Sequence, residues 1–146
     1  MKIKFFKLLP LFLLFSMTVL AQKPVAARPV INIRGIGTYH SLKELEGMQK
    51  GELKALYLER IKILINMVPY MAITNKPGTT LKDLGIPESL ENVKALEKET
   101  ENRNLFLSGT SEFLDTMLSY SDKSNIVAGI LFYEDVLKKI HSGDDL

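Results

Sequence analysis

The stretch Ser41–Ile73, SLKELEGMQKGELKALYLERIKILINMVPYMAI, decides the fold. Ser41 followed by Glu44 three residues later is a capping box, which predicts a helix start. Leu42, Leu45, Leu53, Leu56, Leu64 and Met67 recur at spacings of three and eight that keep one helix face. From Ile61 the opposite side turns apolar as well, and only Lys62 and Asn66 are clearly polar. Pro69 lacks an amide hydrogen and predicts an end or kink near Val68. Gly47 and Gly51 lie four apart on one side, where they weaken the turn or admit another backbone.

Downstream, Asn75–Pro87 reads as a connection. Asn-Lys-Pro-Gly is a turn, and Thr80-Leu-Lys-Asp caps a short helical turn closed by Gly85. Pro87 suits the first turn of a second long helix. Leu90, Val93, Glu97, Thr100, Asn104, Leu107, Ser111, Leu114 and Leu118 then form its inward stripe, apolar at both ends and polar in the middle. Ser121–Asn125 breaks the chain, and a third helix directs Val127, Ile130, Leu131, Leu137 and Ile140 inward. The small run Ser108-Gly-Thr-Ser is expected to pack closely against Gly129. The pattern predicts an all-α fold, an antiparallel bundle of three main helices at about 41–73 (kinked near Pro69), 87–120 and 124–141.

Upstream the composition changes. Residues 22–40 carry Pro24 and Pro29, and Val30–Ile33 alternates as a strand does, with no second strand pattern to pair with it. This segment reads as an extended tether whose apolar end lies on the helices or on a partner. Residues 1–21 read as a signal peptide: a basic start (Lys2, Lys4, Lys7), the apolar run Leu8–Leu20, and small residues before a cleavage point between Ala21 and Gln22. Thirteen helical residues span roughly 20 Å, against a bilayer core of about 30 Å, so no permanent membrane anchor is expected. The domain organisation is thus 1–21 signal peptide, 22–40 tether and 41–146 helical bundle. Export without any cysteine points to a periplasmic or secreted bacterial protein.

Composition removes several functions. Without cysteine there are no disulfides, thiolate metal sites, c-type haem attachment or cysteine nucleophile. Setting aside the three lysines of residues 1–21, sixteen basic residues face seventeen acidic ones, which leaves no excess to bind a nucleic-acid backbone. Arg34-Gly-Ile-Gly-Thr lacks the third glycine and the βαβ setting of a dinucleotide fingerprint. With two near-equal helix levels, His141 falls beside residues near 103 and 58, far from Met48 and His40, and no Glu-x-x-His pair exists for a di-iron site. No cofactor and no metal are expected.

The same levels place Tyr57, Arg60, Glu101, Asn104 and His141 together. Arg60 interrupts an apolar stripe and needs a carboxylate, so pairing with Glu101 or Glu97 is expected. Above this layer the apolar face of Ile61, Leu64, Met67, Val68 and Met71 outruns the short third helix. Either the connection (Leu81, Leu84, Ile86) and tether (Val30, Ile31, Ile33, Ile36) complete the core, or a second copy, a protein partner or an apolar small ligand covers it. No nucleophile–base pair stands at a readable spacing. The expected function is an exported, non-enzymatic protein-interaction or envelope-complex module acting as a homo-oligomer or with a protein partner. The alternative is a periplasmic carrier holding a small apolar ligand between the helices. On the first reading, Met67→Glu disrupts assembly.

Overall fold

Ser41 starts the first helix by the mechanism its sequence predicts. Its hydroxyl accepts the Glu44 amide hydrogen, and the Glu44 carboxylate accepts from the Ser41 amide at 2.7 Å. The computed structural model describes residues 27–32 and 36–142. Its helices are α1 (Leu42–Gly47), α2 (Lys50–Met67), α3 (Leu90–Leu118) and α4 (Lys123–Ser142). The single helix expected over 41–73 is therefore interrupted. Met48 and Gln49 adopt extended backbone between α1 and α2, and Glu52 re-caps the chain by accepting from the Gln49 amide at 2.7 Å. Gly47 and Gly51 flank this break. The far end behaves as Pro69 dictates, with α2 stopping at Met67 and a 3-10 turn, Val68–Tyr70, following.

α3 begins three residues later than expected, because Ser89 and not Pro87 supplies the N-cap: its hydroxyl accepts from Asn92 N at 3.2 Å. The short turn in the connection forms as read. Thr80 and Asp83 cap each other, Lys82–Leu84 is a 3-10 turn, and Gly85 closes it at φ 70°. Together α2, α3 and α4 are the three main helices of an all-α bundle, and no strand occurs among the described residues.

α2 is the axis of the arrangement. It packs on α4 along most of its length and on α3 more sparsely, while α1 lies on α4. α3 runs antiparallel to α2, with Lys54 on Asp115 at one end and Tyr70 beside Arg103 at the other. α4 runs parallel to α2, with Tyr57 opposite Tyr133 and Arg60 opposite Glu134. That register corrects the expected levels. His141 lies beyond Arg60 by about two helical turns instead of beside it, because the α4 residue opposite Arg60 is Glu134, seven residues earlier. α4 thus reaches high enough for Leu137 and Ile140 to pack with Ile63, Met67 and Tyr70, within the stretch expected to outrun it.

Two apolar clusters result. The lower one joins Leu45 and Leu53 to Leu118, Ile126, Val127 and Ile130. The upper one joins Ile63, Met67 and Tyr70 to Leu137 and Ile140, and it is completed by Val30 and Ile31, which are 4% and 0% exposed. Ile36, Leu81 and Leu84 pack around it. The expected tether is therefore a strap at its apolar end. It does find a backbone partner: Val30 N donates to Thr79 O at 2.8 Å and Gly78 N to Ile31 O at 3.0 Å. Gly78 sits at φ 86°, a left-handed conformation that costs other residues strain. Residues 1–26, Ile33 and the Arg34-Gly35 pair, with the signal-peptide and cleavage-site readings at Ala21 and Gln22, lie outside the described residues.

Gly129 serves a different contact from the one expected. Gly109, in the Ser108–Ser111 run, has open space around it, whereas a Cβ on Gly129 would stand 2.7 Å from Tyr57 Cε2. The missing side chain lets the Tyr57 ring lie on the α4 backbone, 5.1 Å from the Tyr133 ring and with the two hydroxyls 2.8 Å apart. Burial, then the bond to Tyr57 and its proximity, push the Tyr133 phenol up to about 12. Gly129→Ala is expected to destabilise by about 1–3 kcal/mol, since displacing the ring outweighs alanine's better helix propensity. A denaturation midpoint at or above that of the native protein would show that the ring simply swings aside.

Candidate functional site

The polar layer exists, with different members. Arg60, 3% exposed, donates from Nε to Glu134 Oε1 at 2.9 Å, and not to Glu101 or Glu97. Its Nη2 donates to the Thr38 carbonyl at 2.8 Å, and its Nη1 lies 3.2 Å from the Glu59 carboxylate. Glu134, 1% exposed, also accepts from the His40 amide at 2.6 Å and from His40 Nδ1 at 2.8 Å. An ionised carboxylate can only accept, so His40 Nδ1 carries the proton in this pair. Burial works against the Glu134 charge, but the two His40 bonds and Arg60 outweigh it and hold the carboxyl below its ordinary range. Each guanidinium nitrogen and each carboxylate oxygen thus has a partner. The cluster is saturated, and its evident work is to clamp Thr38–His40 across α2 and α4.

Glu134 carries a readable signal in the sequence. It occupies an inward position between Ile130 and Leu137, so a carboxylate interrupts one apolar stripe just as Arg60 interrupts another. His40 was placed at the end of a tether and so appeared remote from α4. Its neighbour Tyr39 lies with its hydroxyl 3.4 Å from His141 Nδ1, which is also 2.7 Å from the Leu137 carbonyl.

A second polar layer joins α3 to the turn after α2. The guanidinium of Arg103, 6% exposed, stacks 4.8 Å over the Tyr70 ring, and the Tyr70 hydroxyl donates to Glu99. Burial and then the bond to Glu99 raise the Tyr70 phenol above its ordinary value. Arg103 Nε and Nη1 find no hydrogen-bond partner among the described residues, so the ring face supplies part of what desolvation removes.

The other expected site residues scatter. Met67 is fully buried in the upper cluster, and Tyr57, Ile61, Leu64 and Met71 are half-buried. Val68 is exposed. The strap and connection therefore cover much of the face proposed for assembly, and Met67→Glu would test folding instead of association. Glu101, Asn104 and His141 are exposed and do not converge on Arg60. Glu101 and Asn104 line a shallow cleft with Arg28, Glu97 and Thr100. Asn104 also borders a cleft of about 640 Å³ between the strap and the helices, whose polar walls are Asn32, Lys62 and Asn66. Among the described residues, no three or more His, Asp or Glu side chains gather to hold a metal ion, and no helix is long and apolar enough to cross a membrane.

What sequence reading missed lies on the outer side of α3. Phe106, Phe113 and Met117 recur at intervals of seven and four, which aligns them on one side of α3, and Tyr120 follows in the turn after its end. They are 59%, 62%, 44% and 85% exposed. The inward positions of α3 are Arg103, Leu107 and Leu118, so the stripe belongs to a different side of the helix. Its periodicity was present in the sequence, but the inward stripe, chosen first, hid it. Comparison with protein-family models, with curated proteins and with solved structures finds no match for this chain.

Proposed function

We propose that the chain is an exported, non-enzymatic helical module that works by protein–protein contact, docking a partner on the α3 stripe. The observation that carries this reading is the exposure of Phe106, Phe113 and Met117 on one side of α3, with Tyr120 exposed just beyond its end. Three aromatic rings exposed to this degree present on the order of 400 Å² of apolar surface, the size at which a patch on a soluble protein marks an interaction site. Aromatic residues and Met are also the types enriched at the cores of interfaces. Their burial would stabilise a complex by roughly 3–6 kcal/mol before association entropy is subtracted. The saturated Arg60–Glu134–His40 cluster favours a structural over a catalytic role. The carrier reading has less support, because the clefts at Asn104 are open and bordered by polar side chains. Export rests on the basic start and the apolar run Leu8–Leu20, followed by cleavage after Ala21.

Native mass spectrometry of the protein recovered from its exporting host tests this. The expected denatured mass begins at Gln22, and the native protein travels in a complex above monomer mass. Phe106→Ser with Phe113→Ser is expected to yield the bare monomer while changing the unfolding free energy by no more than about 0.5 kcal/mol, as for exposed positions elsewhere. A wild-type protein that is already a bare monomer, or a double variant that keeps the complex, overturns the proposal.

A further inference from the structure

We infer that the partner element taken by the α3 stripe is a basic amphipathic helix; this rests on the protein-contact reading above. Charge carries the inference. From Lys98 to Lys123 the exposed charged groups are Glu99, Glu101, Glu112, Asp115 and Asp122 against Lys98 and Lys123, so carboxylates predominate even with Asp115 paired to Lys54. The third cation there, Arg103, is buried over Tyr70. Three nearby lysines have hydrogen-bond partners, and one of them is neutralised. Lys54 holds Asp115 at 3.0 Å, Lys50 donates to the Ser119 carbonyl, and Lys123 donates to the Glu46 carbonyl. An apolar stripe with carboxylates at its margins favours a ligand whose apolar face is edged by Lys or Arg, and it speeds the encounter with one.

Shape agrees with a helix as the occupant. Phe106 to Met117 covers twelve residues of α3, about 17 Å, with Tyr120 in the turn beyond, which suits three to four turns of a facing helix. Gly109 lies on the same side between Phe106 and Phe113, and nothing approaches within 4 Å of where its Cβ would be. This leaves a notch one turn from each ring, where a Leu or Ile knob can seat. A second copy of the chain is disfavoured, because self-pairing along α3 brings its acidic margins together. An anionic lipid surface is disfavoured for the same reason.

The test uses the exported protein and two synthetic 18-residue helical peptides. One has Leu at one face and Lys elsewhere, and the other has Glu in place of each Lys. Fluorescence anisotropy is expected to show the Leu–Lys peptide binding at least about tenfold more tightly than the Leu–Glu peptide, and losing affinity as salt is raised. Glu101→Lys, Glu112→Lys and Asp122→Lys together are expected to reverse the preference, and Phe106→Ser with Phe113→Ser to abolish binding of the Leu–Lys peptide. Equal binding of both peptides that the Phe variants abolish overturns the basic partner and leaves the stripe as the contact surface. Failure of both peptides to bind also overturns the basic helix, with native mass spectrometry still deciding the stripe. Leu–Lys binding that survives loss of both Phe side chains overturns the inference and counts against the stripe itself. A wild-type homodimer in native mass spectra, dissociated by the Phe variants, overturns the basic partner in favour of a second copy.

Discussion

Arg60→Met is expected to destabilise the protein by about 3–5 kcal/mol, the cost of leaving a buried carboxylate without its cation. Glu134 is 1% exposed and would keep only its two bonds from His40. Glu134→Gln is expected to cost less, because the amide keeps an acceptor and the Arg60 cation retains the Thr38 carbonyl and the Glu59 carboxylate. Arg60→Met combined with Glu134→Leu is expected to recover most of the loss, since apolar replacements of a whole buried pair are often neutral. Denaturant unfolding of the three variants checks this order, and a double variant no more stable than Arg60→Met would contradict it. The sign of the pH effect follows from the same cluster. The folded carboxyl sits below its ordinary value of 4.5, so on acidification the unfolded chain takes up the proton first. The contribution is complete above that value and is lost as pH falls through the lower, folded one. Glu134→Gln is therefore expected to flatten the acid limb of the stability profile. Glu44 and Asp83, also held low by their capping bonds, keep some of the slope.

Ile31→Ala carries the second large effect, a loss of about 2–5 kcal/mol. Ile31 is fully buried against the upper cluster of Ile63, Met67, Tyr70, Leu137 and Ile140, although it lies outside every helix. Its neighbour Asn32 is exposed, and Asn32→Ala is expected to leave stability within about 0.5 kcal/mol. Equilibrium unfolding separates the two. An Ile31→Ala cost below about 1 kcal/mol would mean that the strap rests on the core without completing it.

The helices were legible because their determinants are local. The Ser41 and Glu44 cap, the stop at Pro69 and the Thr80–Gly85 turn each depend on residues within a few positions of one another. The register was not local. The path of the connection between Met67 and Leu90 sets how far α2 slides along α3, and no periodicity encodes that distance. Arg60 was correctly read as needing a carboxylate, yet its partner depended on the register and proved to be Glu134. The strap was half legible: Val30 and Ile31 were evident apolar candidates for covering Met67, but their bonding to Thr79 and Gly78 was not. The α3 stripe went unread because a helix with two apolar sides has no signature of which one meets the core.

The clamp at His40 also has an order in time. Its two halves, His40 and Glu134, are 94 residues apart in the chain. Contacts so distant form late, because the intervening loop must be ordered first. For a chain synthesised N-terminus first, the strap emerges early but has nothing to lock onto until α4 follows it. Arg60 and Ile63 stay unsealed until then. The fold therefore cannot complete itself on a partial chain, and it closes only when its last helix has arrived.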